Sequence, residues 1–76
     1  MDKIKFLTEC ITQEIISFIV DDKDIDYDKA IDCFYSSQTF EKLNDPATGL
    51  YLESSAYVYE IFKSELANGA IVQEEQ

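Results

Sequence analysis

Residues 39–62 read TFEKLNDPATGLYLESSAYVYEIF, and the reading of this stretch decides the fold. It holds the only proline, Pro46, one of the two glycines, Gly49, and three of the five tyrosines, Tyr51, Tyr57 and Tyr59. Asn44 and Asp45 ahead of Pro46 are turn initiators, because their short side chains bond nearby backbone amides. Pro46 fixes its own φ and steers Asp45 away from the helical region. Gly49 takes positive φ at no steric cost. Leu50, Tyr51 and Leu52 then read as a short extended connector with Leu50 and Leu52 on the same side. Ser54 or Ser55 caps a helix running to about Ala67, with Val58, Ile61, Phe62 and Leu66 inward, Tyr57 and Tyr59 flanking, and Asn68-Gly69 as its stop.

Upstream, Ser36 or Ser37 caps a short helix through Asn44, with Phe40 and Leu43 inward. So short a helix persists only when its neighbours pack on it. Before it, Tyr27, Ala30, Ile31, Phe34 and Tyr35 fall on one side of a helix over residues 27–36, opposite Asp28, Lys29 and Asp32. Asp26 is its expected N-cap, and Ile25 is placed to staple onto Ala30. The first segment, Asp2 to Val20, repeats Ile4, Leu7, Ile11, Ile15 and Phe18 at helical spacing, with Asp2 as N-cap. Phe6, Cys10, Ile16, Ile19 and Val20 widen that stripe. Such a helix is either central to the domain or meets a second chain through part of its face. The acidic joint DDKDID, residues 21–26, is expected to end it.

The fold expected is all-α: a compact bundle of three longer helices and one short helix, with a Pro/Gly turn before the last. One domain spans residues 1–72; Ile71 and Val72 fold back on the last helix, and residues 73–76 form a disordered tail. Seventy-six residues give a thin core, and 46% hydrophobic residues is too many for a disordered chain.

Sixteen Asp and Glu stand against six Lys, with no arginine, for a net charge of −10. That balance argues against nucleic acid and against anionic membrane surfaces, and favours a basic partner. No run is apolar enough to span a bilayer, and no signal peptide is read at the N-terminus. With only two cysteines, Cys10 and Cys33, both expected as small buried hydrophobes, the chain reads as cytoplasmic.

Catalytic chemistry lacks its usual residues. There is no histidine to act as base or metal ligand, and neither cysteine has an evident activator. Asp22, Asp24, Asp26 and Asp28 superficially resemble a calcium loop. An EF-hand needs glycine at its sixth position and glutamate at its twelfth. Starting from Asp22 these are Tyr27 and Cys33, and from Asp24 they are Lys29 and Tyr35, so both registers fail. Glu60 and Glu65 read as solvent-facing. No enzyme activity, cofactor or metal is expected. Tyr57 and Tyr59, two residues apart, cannot share one narrow helix face, so at least one is expected at an edge or interface. Tyr51, Tyr57 and Tyr59, with Ile16 and Ile19 of the first helix, form the candidate interaction surface, for a second copy of this chain or for a basic protein.

Residues 33–66, CFYSSQTFEKLNDPATGLYLESSAYVYEIFKSEL, resemble a group of small uncharacterised bacterial proteins. The shared pattern is a helix ending FYSS, then TFEKL, a turn with TGLY, and SSAYVYEIF closing on an acidic, leucine-rich end. The resemblance implies a compact helical fold. Some small acidic proteins of this sort are encoded beside toxins or enzymes as their partners, and it implies such a role without assigning any residue to it.

Overall fold

The computed structural model describes residues 2–68. Four α-helices follow in order: α1 Lys3–Lys23, α2 Tyr27–Tyr35, α3 Gln38–Leu43 and α4 Ser55–Asn68. Two single 3₁₀ turns, Pro46–Thr48 and Leu50–Leu52, join α3 to α4. The all-α bundle with its turn before the last helix is therefore the observed architecture. The expected return of Ile71 and Val72, the Gly69 stop and the Gln73–Gln76 tail lie outside the described residues.

α1 is the central helix. It packs against α2 on one side, against α4 on another, and meets the second 3₁₀ turn. Its isoleucines are covered from both sides: Ile15 and Ile19 are fully buried, and Ile11 and Ile16 nearly so. Asp2 caps it as expected, its Oδ1 accepting from the amides of Ile4 at 3.1 Å and Lys5 at 3.3 Å. The acidic joint does not stop it at Val20. The helix runs three residues further, to Lys23, and ends where Asp24 turns left-handed at φ 54°. Solvated like charges cost only a few tenths of a kcal/mol at helical spacing, too little to break a helix, and aspartate tolerates the left-handed region.

Ala30 and Phe34 are the fully buried residues of α2, with Ile25, Ile31 and Cys33 packed at the edge of the core. Phe34 is the hub: its ring meets Phe40 edge-on at 5.5 Å and Phe62 edge-on at 5.3 Å. Asp26 is the N-cap of α2 by position, although its side chain makes no capping bond. Tyr27 and Tyr35 depart from the inward face expected for them, at 54% and 52% exposed. On a helix, the inward stripe is centred on Ala30 and Phe34, and residues 27, 31 and 35 lie to one side of it.

The turn follows its local chemistry. Asp45 Oδ1 accepts from the Ala47 amide at 3.0 Å, and Gly49 takes φ 70°. Leu50–Leu52 is a 3₁₀ turn, not an extended connector, closed by Glu53 N donating to Leu50 O at 3.0 Å. At three residues per turn, positions two apart point away from each other, so Leu50 is buried while Leu52 is 71% exposed. Ser54 caps α4, its Oγ accepting from Tyr57 N at 3.1 Å. Val58 and Phe62 are buried as expected and Ile61 packs at the core edge, but Leu66 is exposed and Tyr59 takes a core position. Cys10 is exposed and Cys33 half-buried, so only the second approaches the buried environment expected of both.

Candidate interaction groove

Three helix faces meet in a groove of about 290 Å³. Thr8, Thr12 and Ile16 of α1 recur every four residues and form one wall. Tyr27, Ile31 and Tyr35 of α2 do the same and form the other. Phe40 and Asn44 close one end, and Glu9 and Gln13 lie along the α1 side.

The polar groups of this groove are partly tied into their own backbone. Thr12 Oγ1 donates to Thr8 O at 2.8 Å, and Asn44 Nδ2 donates to Phe40 O at 2.9 Å. Tyr35 stacks flat on Phe40, centroids 4.4 Å apart and planes 13° apart. The result is an aromatic surface with hydroxyls at its edge, the composition favoured where proteins recognise proteins. Its volume is at the bottom of the range for small-molecule pockets and suits one or two inserted side chains.

The residues singled out from sequence do not converge on this groove. Ile16 contributes to its wall but is only 3% exposed. Ile19 is fully buried in the core and Tyr59 is 6% exposed, so both are covered within one chain. Tyr57, on α4, is exposed and Tyr51, within the second 3₁₀ turn, is half-buried; neither lines the groove. Tyr27 and Tyr35, expected on the inward face of α2 with Ala30 and Phe34, line the groove instead, and their four-residue spacing with Ile31 was the available signal.

Tyr59 instead joins α1 to α4. Its hydroxyl donates to Asp22 Oδ2 at 2.6 Å, and its ring lies 5.2 Å from that of Phe18. Burial, then the hydrogen bond to Asp22 and the negative charges of Asp22 and Glu60, push its phenol well above the usual tyrosine range. A phenol whose ionisation is suppressed by folding stabilises the protein in its neutral form. That contribution is complete below about pH 10, the unfolded value, and is lost as pH rises above it. Thermal melts should therefore show the wild type losing stability from about pH 10 upward more steeply than Tyr59→Phe, which gives up about 1 kcal/mol at neutral pH. Parallel alkaline curves for the two proteins would contradict this.

Glu65 makes the second long-range polar link. It is half-buried, not solvent-facing, and its carboxylate accepts from Gln38 N at 2.9 Å, Thr39 N at 3.0 Å and Thr39 Oγ1 at 2.9 Å. Glu60 is exposed as expected and pairs with Lys63 at 3.0 Å. Among the described residues no group of three or more His, Cys, Asp or Glu is placed to hold a metal ion, and no helix is long and apolar enough to cross a membrane.

Fold and groove together define a small all-α bundle with an aromatic-lined face. Comparison with protein-family models, curated proteins and solved structures found no match.

Proposed function

We propose that this chain is a non-catalytic, cytoplasmic interaction module that holds a basic partner protein against the α1–α2–α3 groove. The observation that carries the reading is the pair Tyr27 and Tyr35, each more than half exposed and lining one groove. A thin domain with few large residues to bury gains nothing for its own core by leaving two tyrosines at a surface. The net charge of −10 supplies the partner's sign. It also disfavours a homodimer, in which two such charges would be brought together. A second reading, favoured by the same acidic excess, makes the chain an inhibitor- or antitoxin-like protein that covers the working surface of its basic partner.

Affinity capture from the cells that make the protein tests the first reading. Partner retention should fall at least tenfold in Tyr27→Ser/Tyr35→Ser, since truncating an aromatic anchor typically costs about 2 kcal/mol. It should also fall as salt rises to about 0.5 M, where exposed charges are screened. Retention indifferent to both the double substitution and salt would overturn it. Inhibition of an activity of the captured partner would select the second reading.

A further inference from the structure

The two long walls of the groove run in step. Thr8, Thr12 and Ile16 on α1 and Tyr27, Ile31 and Tyr35 on α2 each recur every four residues. At 1.5 Å per residue, each row rises about 12 Å in steps of about 6 Å. α2 packs back on α1 after a joint of residues 24–26, so the two rows flank one channel. We propose that this channel seats one amphipathic helix of the basic partner. Apolar anchors four residues apart enter the channel, and lysines or arginines lie along both flanks of that helix. The proposal rests on reading the groove as the partner's site and names the segment that enters it.

The form of the occupant follows from the walls. They are helices throughout, and the described residues include no strand, so an extended segment finds no sheet edge to join. A helix carries its own row of side chains at steps of about 6 Å, which fits between rows of the same step. A polyproline segment repeats every three residues, at about 9 Å, and falls out of step with Tyr27, Ile31 and Tyr35. The α1 wall is low: Thr8 and Thr12 are short and buried, and the Thr12 hydroxyl is already donated to Thr8 O. The α2 wall is tall, because Tyr27 and Tyr35 stand more than half exposed. A low wall beside a tall one leaves depth for anchors, and about 290 Å³ accommodates two.

Charge sets the flanks of the occupant. Successive residues of a helix lie about 100° apart around its axis. Core, groove and rim therefore follow one another along the sequence: Ala30, Ile31, Asp32 on α2 and Thr39, Phe40, Glu41 on α3. Asp28 follows Tyr27 and Glu9 follows Thr8 in the same way. The rim thus carries Glu9 on the α1 side, Asp28 and Asp32 on the α2 side and Glu41 at the end, all exposed. No lining residue is a cation. Among the described residues the ion pair is Lys63–Glu60 on α4, so the chain's own lysines do not take up these rim carboxylates. A basic helix lying in the channel meets complementary charge along both sides.

Capped peptides of lysine, leucine and alanine test the pattern. In one, leucines four residues apart share a helical face. In a second of identical composition, leucines two residues apart cannot share it. A third carries the same lysines on a polyproline backbone. On the wild-type protein, amide shifts from the first should concentrate on residues 8–16, 27–35 and 40–44. Calorimetry should find it about tenfold tighter than the second, as expected for one buried anchor. Tyr27→Ser/Tyr35→Ser should bring these two peptides within about twofold of each other. Asp28→Asn/Asp32→Asn should weaken the first about threefold, from two exposed charge pairs. Asp21→Asn/Glu53→Gln removes the same charge from outside the groove and should weaken it by less than about 1.5-fold. Equal affinity of the first two peptides, tighter binding of the polyproline peptide, or shifts centred elsewhere would each overturn the proposal. The wild-type mapping stands even if a variant misfolds. Partner retention in Tyr27→Ser/Tyr35→Ser judges the groove separately: retention lost there, with no preference between the peptides, means that the partner enters the groove in another form.

Discussion

Phe34→Ala is expected to cost about 4 kcal/mol, the range for removing a fully buried phenylalanine ring. Phe34 is 0% exposed and touches aromatic partners on two other helices, Phe40 on α3 and Phe62 on α4. Its removal leaves a cavity that cannot collapse, because α3 is held by α4 and α2 by α1. A domain of this size has roughly 4–11 kcal/mol of total stability, so the variant should be partly unfolded at room temperature or melt far below wild type. Urea titration followed by circular dichroism measures the loss. Tyr35→Ala is the neighbouring control: its ring stacks on Phe40 but is 52% exposed, and its loss should stay near 1 kcal/mol. If the two variants lost equal stability, the core would not be centred on Phe34. The control also separates stability from the recognition role proposed for Tyr35.

The contrast between these adjacent residues marks how far the sequence is legible. Features set by chemistry a few residues away read correctly: the Asp2 cap, a serine cap on α3 and on α4 (Ser37 where Ser36 was equally expected, Ser54 where Ser55 was), the Asp45–Pro46–Gly49 turn, and the periodic isoleucines of α1. Each depends on an amide within three residues or on a spacing of three and four. Features set by distant packing did not. The wide stripe of α1 allowed a second chain as its cover; the structure buries Ile16 and Ile19 within one chain, where α1 packs on α2 and α4, and leaves Phe6 and Cys10 of the same stripe exposed. Tyr57 and Tyr59 are equivalent by composition, yet only Tyr59 is buried, because only that side of α4 faces Phe18 and Asp22. The extension of α1 to Lys23 belongs with it, since that added turn carries Asp22 to the Tyr59 hydroxyl. The candidate surface was legible as a preference for tyrosine but not as a place. Rotation of α2 about its axis by a fraction of a turn decides whether Tyr27 and Tyr35 join Phe34 or line the groove.

Glu65→Ala should have the second largest effect, about 2–3 kcal/mol, because it strips the amide and hydroxyl of the fully buried Thr39 of their acceptor. α3 is six residues long and too short to persist alone. Its first four amides are nevertheless all satisfied: Gln38 and Thr39 by the Glu65 carboxylate, Phe40 by Ser37 Oγ at 3.0 Å, and Glu41 by Ser37 O at 3.4 Å. Half of the cap thus comes from a residue 26 and 27 positions away. A carboxylate at a helix N-terminus also meets the positive end of the helix dipole. Glu65→Gln keeps an acceptor but loses the charge, and should fall between wild type and alanine. Thr39 is fully buried, and Thr39→Val removes only the hydroxyl bonded to Glu65 while filling the same space. The double-mutant cycle between Glu65→Ala and Thr39→Val should therefore show a coupling of about 1 kcal/mol. Amide exchange supplies the local readout: Gln38 and Thr39 should lose protection in Glu65→Ala before the amides of α1 do. Additive losses with unchanged exchange at residues 38 and 39 would mean that α3 is held by Phe40 and Leu43 alone. Because α3 carries Phe40 and α2 ends immediately before it, a loosened α3 should also open the end of the aromatic groove. The same variant then links the stability of the smallest helix to partner retention at Tyr35.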